Sequence, residues 1–556
     1  MYTCENGRKQ QNCAVTAIPP SGMMNKNTPA CACRRLCLFT KVQKAGRKTM
    51  NQPSALRDYI GDLEKNGLLC CQHDVEGVED DPVVFATYDS KEVVEGTLFV
   101  CKGAHFKPAY LVEALEKGAF CYVSEKAYEE AGDAPCILVG DIRRTMALIA
   151  ARYQHKVWQK LHTVGITGTK GKSSAAYFIK SILDEHLLAS GGKESAILSS
   201  IDNYDGKIRE ESHLTTPEAM MLSRHMQHAV DAGIEYLTME VSSQALKYDR
   251  TYGVTFDVGV LMNIGEDHIS PVEHPSLEDY IASKMMLMRQ CRTAVINGDD
   301  VYCRRAVESA AGYAEKIITF GMENDHADVM AGDIRSEGNG ISFRVRCDDF
   351  DAPFAIACKG IFNVSNALAA ITVCHLLGVP LEAMQRGLAK AHVSGRMEVF
   401  TDPSGRLTAI VDYAHNAMSF EALFKSVKQE FPGRKVIIVF GCPGKKAQRR
   451  REELGISAGR HADLAILTEE DAGEEAVHDI SREIAGHVES VGGRYEIIDD
   501  RGRAIERAVE AADENTVILI TGKGRETRQK RGTAYIDTPS DVDYVQRFLA
   551  AKKFGA

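Results

Sequence analysis

The stretch from His162 to Ser174, HTVGITGTKGKSS, decides the fold class, because it joins an apolar run to a glycine-rich loop that ends in Lys-Ser. Its glycines, Gly165, Gly168 and Gly171, allow the backbone to turn sharply and to bring N–H groups close to phosphate oxygens. The apolar residues that follow recur at helical spacing, which predicts a helix whose positive N-terminus faces the same anion. The stretch therefore predicts a strand, a phosphate loop and a helix, in that order.

Two side chains of this loop are predicted to act on a nucleotide. Lys172 would reach the β- and γ-phosphates, and the Ser173 hydroxyl would bind Mg²⁺. The strict motif places four residues between its two glycines, whereas here the first glycine is Gly165, one position earlier. A glycine-rich turn in another kind of α/β protein is the alternative. The order of strand, Gly-Lys-Ser and amphipathic helix favours the nucleotide site, which by itself indicates an NTPase or a kinase.

Composition limits the class of protein further. A hydrophobic content of 44% and a charged content of 26% are typical of a soluble globular protein, and 556 residues predict about three domains. The formal net charge of -10 argues against a nucleic-acid coat, and no apolar run approaches the roughly 20 residues of a membrane span. We therefore expect a soluble protein without a nucleic-acid partner. A cytoplasmic location, a monomeric state and small-molecule partners are further expectations that composition does not decide.

The cysteines fall into two groups. Eleven of the 16 are scattered among apolar segments without metal-ligand spacing, which predicts free, buried thiols in a reducing cytosol. The other five lie in the first 49 residues, which carry nine Lys or Arg against one acidic residue. This segment lacks helical or strand periodicity and the apolar core of a signal peptide. We predict that residues 1–49 are a disordered extension, or sequence ahead of a true start at Met50; a zinc knuckle is the alternative.

Alternating strand and helix patterns divide the rest of the chain into three parts. Residues 50–160 predict a small α/β domain, and residues 161–394 predict a phosphate-loop domain with a mostly parallel sheet. From residue 395 to 556 the alternation restarts and predicts a doubly wound, Rossmann-like domain. The predicted fold class is thus α/β with three domains.

Polar residues gather where the predicted strands end, which is where open α/β sheets bind ligands. In the central part the predicted strand Tyr236–Glu240 ends in EVSSQ, and the strand from Val258 to Met262 is followed by NIGEDH. A phosphate loop with a Glu and an Asp-His pair at neighbouring strand ends predicts Mg²⁺-ATP chemistry with more than one metal ion.

Three further motifs carry a resemblance to a known family. Residues 240–246, EVSSQAL, residues 214–218, LTTPE, and residues 522–526, GKGRE, resemble motifs of the Mur ligases, which build the cell-wall precursor one amino acid at a time. Within that family they are most similar to the tripeptide synthetases, which add the third residue to UDP-N-acetylmuramoyl-L-alanyl-D-glutamate. The resemblance runs from about Met50 to the C-terminus. It implies activation of the D-glutamyl carboxylate as an acyl phosphate, and then attack by an amine.

The resemblance implies roles at matching positions. The residues implied in catalysis are Lys172, Glu240, His268, Lys284, Asp412 and His415. Those implied near ATP are Gly168, Thr169, Lys170, Gly171, Lys172, Ser173, Ser174, Asn297, Asp299, Asp300, Asn363, Asn366 and Arg396. Those implied at the UDP-muramoyl dipeptide are Ser90, Thr215, Thr216, Ser242 and Arg250, with Ser90 at the uracil nucleotide. Asp412 and His415 could also be a cap pair at a strand end.

The resemblance also implies two Mg²⁺ ions, held by Ser173, Glu240, His268 and Lys284. Hydroxyl and carboxylate oxygens suit a hard cation, whereas a bare ammonium cannot ligate one. In this family the matching lysine is typically carbamylated, so Lys284 is expected to be N6-carboxylysine. Without the resemblance, a solvated helix lysine would be the better prediction for Lys284.

The amino-acid site is where the sequence departs from the family. Members that add meso-diaminopimelate carry Asp-Asn-Pro-Arg after a third-domain strand, where residues 470–473 here are EDAG. A second arginine position becomes Lys446, and neither lysine nor glycine replaces a bidentate carboxylate fork. The residues expected at the added amino acid are Lys446, Asp471, Gly522 and Glu526. The two carboxylates favour a substrate with a distal ammonium, so L-lysine is predicted ahead of ornithine and meso-diaminopimelate.

Three alternatives stay open at this point. The basic run of residues 445–451 could hold a substrate carboxylate or could be a solvated charge cluster at a helix start. Another ligase of the superfamily, such as a folylpolyglutamate synthase or a different Mur step, would share the phosphate loop. A nucleotide-binding regulatory homologue without catalysis would also fit the altered loops of the third domain.

Overall fold

The computed structural model describes residues 53–103, 106–270, 273–338, 340–445 and 448–552, and residues 53–556 belong to one compact unit. The extension predicted for residues 1–49, its five cysteines and Lys446 lie outside the described residues. All eleven described cysteines are free thiols, as predicted, but only six of them are buried; the prediction of burial is wrong for Cys70 and Cys71, which are exposed in the segment Leu69–His73. None of the described helices is long and apolar enough to cross a bilayer.

The first sheet has five strands in the order β1-β5-β4-β3-β2, all parallel except for β1, which runs antiparallel to β5. Its elements are α1 Leu56–Lys65, β1 Leu69–His73, β2 Phe85–Thr87, β3 Thr97–Val100, α2 Pro108–Glu116, β4 Ala119–Ser124, β5 Cys136–Val139 and α3 Ile142–Tyr153. A 3₁₀ turn, Val157–Lys160, follows α3 and leads into the central sheet.

The central sheet has eleven strands in the order β16-β15-β14-β13-β12-β11-β6-β10-β7-β8-β9. Its first elements are β6 His162–Thr167, α4 Lys172–Ala189, β7 Ala196–Leu198, β8 Asp202–Tyr204, β9 Arg209–Glu211, α5 Ala219–Asp231, β10 Tyr236–Glu240, α6 Ser243–Lys247, β11 Phe256–Leu261, α7 Leu277–Met285, β12 Cys291–Asn297 and α8 Cys303–Ala310. They are followed by β13 Lys316–Gly321, β14 Val329–Glu337, β15 Gly340–Arg346, β16 Asp351–Ile356, α9 Phe362–Leu376 and α10 Leu381–Lys390.

The parallel core of this sheet positions the site. β6 lies between β10 and β11, with His162 opposite Tyr236 and Val164 opposite Val258, so the three strands end at one edge. Apolar strand residues are covered on both faces by helices, as expected for a buried parallel sheet. Position 165 of β6 favours glycine, because a Cβ there would lie only 3.1 Å from the Phe256 ring.

The third sheet has six strands in the order β17-β18-β22-β19-β20-β21, parallel except for β17. Its elements are β17 Glu398–Thr401, β18 Thr408–Asp412, α11 Ala417–Glu430, β19 Lys435–Phe440, α12 Arg449–His461, β20 Leu464–Leu467, α13 Val477–Ser490, β21 Tyr495–Ile497, α14 Arg501–Ala511, β22 Thr516–Thr521 and α15 Asp541–Ala551. A separate hairpin is formed by β23 Arg528–Arg531 and β24 Ala534–Asp537.

The predicted α/β class with mostly parallel sheets is confirmed. The strand Tyr236–Glu240 has the predicted bounds, and the strand predicted from Val258 to Met262 begins earlier and ends one residue sooner, at Leu261. The antiparallel extensions of the central sheet, β14 to β16 on one side and β8 to β9 on the other, were not predicted. The domain boundaries at 160/161 and 394/395 stay predictions.

Candidate active site

The loop between β6 and α4 has the geometry of a phosphate loop. Gly171 has a φ of +83° immediately before the helix, a conformation that side chains rarely adopt. A Cβ at Gly171 would lie 2.2 Å from the Asn366 side-chain oxygen, so the position accepts only glycine in this packing. The loop therefore brings the N-terminus of α4, with its unpaired N–H groups, to the edge where β6, β10 and β11 end.

Lysine side chains converge on the backbone of this loop. Lys172 Nζ donates to Gly168 O (2.9 Å) and to Thr169 O (3.3 Å), and Lys284 Nζ donates to Gly168 O (2.8 Å). Burial lowers the pKa of Lys172, and burial with the neighbouring charges of Lys172 and Lys170 holds the pKa of Lys284 well below its usual value. Such a concentration of nitrogen donors suits a polyphosphate.

Lys284 is enclosed. It is 1% exposed, so it is not the solvated helix lysine of the alternative prediction. Its Nζ lies 4.5 Å from the centroid of the Tyr280 ring, whose hydroxyl lies 3.0 Å from Thr169 Oγ1. Among the described residues, no carboxylate lies within 4.0 Å of Lys284 Nζ.

Three oxygen-bearing side chains form a second cluster beside the loop, which we call the oxygen site: Ser173, Ser200 and Glu240. Glu240 is 1% exposed, and its Oε1 accepts the N–H (2.9 Å) and the hydroxyl (3.1 Å) of Ser200. Ser200 Oγ lies 3.1 Å from Ser173 Oγ, which also accepts from Arg396 Nη2 at 3.3 Å. The oxygen site offers the donor set that Mg²⁺ prefers.

Asp267 joins the central sheet to the third sheet. Its carboxylate accepts from Arg450 Nη2 (2.7 Å) and from the Asn416 amide, and Lys170 Nζ lies 4.0 Å away. Burial opposes ionisation, but Lys170 and Arg450 hold the pKa of Asp267 well below its usual range. We call this group the Asp267 junction. It closes the third sheet over the phosphate loop.

The histidines lie on either side of this junction. His268 Nδ1 is 3.2 Å from Glu273 Oε1, and its side chain is 41% exposed. His415 Nδ1 donates to Tyr413 O (2.7 Å), which leaves Nε2 to accept from Lys170 Nζ at 3.3 Å. Burial and the charges of Lys170 and Arg450 keep the pKa of His415 far below its usual value, so this imidazole is neutral. Burial also lowers the pKa of Lys170, to about 7.

Asp412, paired with His415 in the prediction, has a backbone role in the structure. Its two carboxylate oxygens accept the N–H groups of Met397 and Ala414, each at 2.8 Å. Burial raises its pKa. Arg396 reaches the phosphate-loop helix from the same region, with its guanidinium 4.6 Å from the Tyr413 ring centroid. These bonds of Asp412 agree with the cap alternative, while His415 contacts Lys170 of the loop. The catalytic roles of both residues stay predictions.

The other residues expected near ATP support the loop or its surroundings. Asn366 Nδ2 donates to Asn363 Oδ1 at 2.9 Å, and Asn297 Nδ2 donates to Met262 O at 2.8 Å. The Asp299 carboxylate accepts backbone N–H groups of residues 322–324, and Asp300 accepts that of Ile264. Thr169 and Ser174 are buried within the loop and helix.

The residues expected at the UDP-muramoyl dipeptide lie in two places. Thr216 Oγ1 donates to Glu240 O (3.0 Å) and accepts the N–H of Ser242 (3.0 Å), while Arg250 donates to Thr216 O and pairs with Glu218. These residues therefore form one network. Ser90 lies in the first sheet region, where its hydroxyl donates to Glu113 Oε2 at 2.6 Å.

A cleft of about 560 Å³ lies between the central and third sheets. Of the predicted residues, Thr215, Arg396, Asp471 and Glu526 line it, together with Lys523. Lys523 Nζ is 3.1 Å from Asp471 Oδ1 and also pairs with Glu526. The cleft thus holds both carboxylates expected at the amino-acid site.

Gly522 lies against Glu470 instead of lining this cleft. A Cβ at Gly522 would approach Glu470 Oε2 to 2.2 Å. Burial raises the pKa of Glu470 to about 7. The position therefore needs glycine for close packing.

The basic run is used in ion pairs. Arg449 pairs with Glu266 and Glu453, Arg450 with Asp267, and Arg451 with Glu475 and Glu483. Arg450 and Arg451 side chains are 13% and 6% exposed, so neither belongs to a solvated cluster.

Sequence reasoning missed Ser200, Asp267 and Arg450 as site residues. Asp267 stood in the quoted strand-end motif, beside the histidine that was chosen. Ser200 follows a three-residue strand without a motif, and Arg450 could be assigned only once its partner was known.

The chain is also similar in sequence and in fold to known proteins. Residues 166–374 match the family model described as Mur ligase middle domain, and residues 395–524 match that described as Mur ligase, glutamate ligase domain. The chain is 37% identical over 497 residues to a UDP-N-acetylmuramyl-tripeptide synthetase of Ligilactobacillus salivarius, covering 85% of this chain and 96% of that one.

Two further proteins extend the comparison. A UDP-N-acetylmuramoyl-L-alanyl-D-glutamate–L-lysine ligase of Streptococcus pyogenes is 38% identical over 445 residues, covering 80% of this chain and 88% of that one. A solved structure of a UDP-N-acetylmuramoyl-L-alanyl-D-glutamate–2,6-diaminopimelate ligase superposes with a TM-score of 0.61 at 23% identity, covering 89% of this chain and 99% of that one. The last likeness concerns the fold alone.

Proposed function

Because the chain belongs to the Mur ligase family, whose members form amide bonds at the expense of ATP, we propose that it adds the third amino acid to UDP-N-acetylmuramoyl-L-alanyl-D-glutamate. The observation that carries the proposal is that the oxygen site connects the phosphate loop to the cleft: Ser200 lines the cleft and lies 3.1 Å from Ser173 at the start of α4. The Asp267 junction holds the third sheet against Lys170 of the same loop. A carboxylate activated by ATP there would be shielded from water by the third sheet, as an acyl phosphate requires.

ATP would bind with its phosphates at the N-terminus of α4. Lys172 and the N–H groups of the loop would offset the charge that develops as the γ-phosphate is transferred. The D-glutamyl carboxylate oxygen forms a bond to phosphorus, and the bond from phosphorus to ADP breaks. The amine nitrogen of the incoming amino acid then bonds to the acyl carbon, phosphate leaves, and the amine loses a proton.

Magnesium is part of the proposal. The oxygen site fits Mg²⁺, since Glu240 is ionisable, buried and bonded only to hydroxyl and N–H groups of Ser200 in the described structure. Ser173 and Glu240 would hold the ion, which supplies charge compensation to the bound phosphates. His268 and Lys284 would hold a second ion only after Lys284 Nζ has added CO₂ with loss of a proton, which replaces an ammonium by a carboxylate. The lowered pKa of Lys284 leaves its amine free for that addition.

We infer L-lysine as the amino acid that is added. Asp471 and Glu526 line the cleft, and the one ammonium of Lys523 between them compensates only one of their two negative charges, which leaves one for a distal substrate ammonium. One relative is named as an L-lysine ligase, in line with this inference. Of the predicted amino-acid residues, Lys446 lies outside the described residues.

ADP release, measured with the UDP-muramoyl dipeptide and each of L-lysine, L-ornithine and meso-diaminopimelate, tests the substrate. We expect the rate with L-lysine to exceed the others, and dependence on meso-diaminopimelate alone would contradict the inference. Phosphate release without any amine, compared with release when amine is added, separates a ligase from a regulatory homologue. Lys172→Ala should reduce amide formation by about 10³-fold, whereas Lys425→Ala, at an exposed position of α11, should not.

A further inference from the structure

A cluster of three side chains lies on the central sheet outside the active site just described: Asp205, His225 and His228. Asp205 follows β8 directly, and the two histidines are one turn apart on α5. Asp205 Oδ2 is 2.7 Å from His225 Nδ1 and 2.9 Å from His228 Nδ1. One ligand atom from each residue lies within 4.8 Å of the others.

The local backbone aims this carboxylate at the histidines. Asp205 Oδ1 accepts the N–H groups of Lys207 (2.9 Å) and Ile208 (2.7 Å), which closes the turn between β8 and β9. Oδ2 is thereby left to the imidazoles. Asp205 and His225 are 0% and 3% exposed, whereas the His228 side chain is 21% exposed.

The exposed side of the cluster opens to a cavity. His228, Lys207 and Asp231 are among the residues that line a space of about 280 Å³ between α5 and the first sheet region. Lys207 Nζ is paired with Asp231 Oδ2 at 2.8 Å, so the two charges of the cavity wall beside His228 neutralise each other. A water molecule or another ligand could reach the cluster through this cavity.

We propose that Asp205, His225 and His228 form a binding site for a divalent transition-metal ion, with Zn²⁺ as the best match. Two imidazoles and one carboxylate converging from two elements are a donor set that suits zinc, whereas Mg²⁺ prefers oxygen alone. Three protein ligands leave a fourth position, which faces the cavity. Ligation through Nδ1 would replace the hydrogen bonds from the two imidazoles to Asp205 Oδ2.

The position of the cluster gives the ion a structural role. Residues 212–218, which include Thr215 and Thr216, connect β9 to α5, and the cluster ties the turn before β9 to α5. A bound ion would therefore hold both ends of this segment at a fixed distance. The ion would fix the ends of residues 212–218 whatever substrate these residues contact.

The test uses the full chain, freed of metal by a chelator, with Zn²⁺ added in the presence of excess Mg²⁺. Native mass spectrometry and calorimetry measure stoichiometry and affinity, and thermal unfolding measures the gain in stability on binding. We expect one tightly bound Zn²⁺ whose affinity falls at least about tenfold in His228→Gln. The exposed His326→Gln serves as the matched control and should bind as the wild type does.

Thiols are the competing zinc ligands, since the chain has 16 cysteines. Co²⁺ distinguishes the two, because the proposed site should give ligand-field bands without the thiolate charge-transfer band that cysteine ligation produces. His225→Gln provides a second variant, and the melting temperature of each metal-free variant reports whether it folds. Equal Zn²⁺ affinity in wild type and both folded variants, a thiolate spectrum, or no retained Zn²⁺ would overturn the proposal. None of these readouts depends on ligase activity.

Discussion

The oxygen site and the pocket of Lys284 both adjoin the phosphate loop, yet they differ in what they offer a cation. The oxygen site presents two hydroxyls and the Glu240 carboxylate, with the Arg396 guanidinium donating to one hydroxyl. The pocket presents a buried amine that donates to Gly168 O and is repelled by Lys172 and Lys170. The first is assembled by folding alone, whereas the second needs a covalent change before it can bind a metal ion.

Among the substitutions that test this contrast, Lys284→Ala has the largest expected effect. Lys284→Ala should lower the rate of amide formation by about 10²-fold, because one charged group at the transferring phosphate is lost. Added acetate should restore part of the rate, since a small carboxylate fits the space left by the side chain and replaces the expected carbamate.

Glu240→Gln is the matched control for that rescue. The amide has the shape of the carboxylate and leaves no space, so acetate should not restore its rate. Equal rescue of both variants, or no rescue of Lys284→Ala, would contradict a carbamate at Lys284.

A second prediction concerns the Asp267 junction, which holds the third sheet against the phosphate loop. Asp267→Asn should lower kcat/KM for ATP by at least about thirtyfold, roughly 2 kcal/mol, since Arg450 and Lys170 would lose their buried counter-charge. Steady-state kinetics at varied ATP measures this.

The chain supplies the control one residue away. Glu266 and Arg449 pair at 2.8 Å between the same two elements, but their side chains are 50% and 72% exposed. An exposed pair contributes about 0–1 kcal/mol, so Glu266→Gln should change kcat/KM less than about fivefold. If both substitutions had the same effect, burial of the Asp267 junction would not be what closes the site.

A third prediction uses pH. The folded chain binds fewer protons than the unfolded chain between the lowered pKa of Lys284 and its ordinary value of 10.5. The free energy of unfolding therefore rises with pH in that window, by up to about 1.4 kcal/mol per pH unit for this group.

Lys284→Met removes that term while keeping the volume. In CO₂-free buffer the variant should melt above the wild type at low pH, and the difference should shrink as pH rises towards the ordinary lysine value. A difference that stays constant with pH would mean that Lys284 is charged in the folded chain.

The contrast also explains which parts of the site the sequence could predict. The neighbouring order of β10, β6 and β11 brings Glu240 and the NIGEDH motif to the loop, and each was recognisable because a buried strand ends in polar residues. Strand patterns and the Gly-Lys-Ser run depend only on neighbouring residues, so they can be recognised from the sequence alone.

What could not be predicted depends on distant partners. The antiparallel strands β15 and β16 alternate in burial, but nothing in them specifies that they extend the central sheet beyond β14. Arg450 belongs to a run of five basic residues within seven positions, and only docking of the third sheet selects it for Asp267. The Asp205 cluster joins residues 20 and 23 positions apart in the same way.

The smallest expected effect sharpens the description of the oxygen site. Ser200 contributes its N–H as well as its hydroxyl to Glu240, so Ser200→Ala removes one of two hydrogen bonds and leaves the backbone donor in place. A hydrogen bond to a charged group contributes about 1.5–3 kcal/mol, part of which water in the vacated space recovers. We therefore expect the Mg²⁺ concentration for half-maximal rate to rise only a few-fold, with kcat nearly unchanged.

Ser190→Ala, at the end of α4, should leave both constants as they are. If Ser200→Ala instead lowered kcat as strongly as Glu240→Gln, the serine would bind the metal or the phosphate itself, and the site would have a hydroxyl ligand that Ser173 was expected to supply alone.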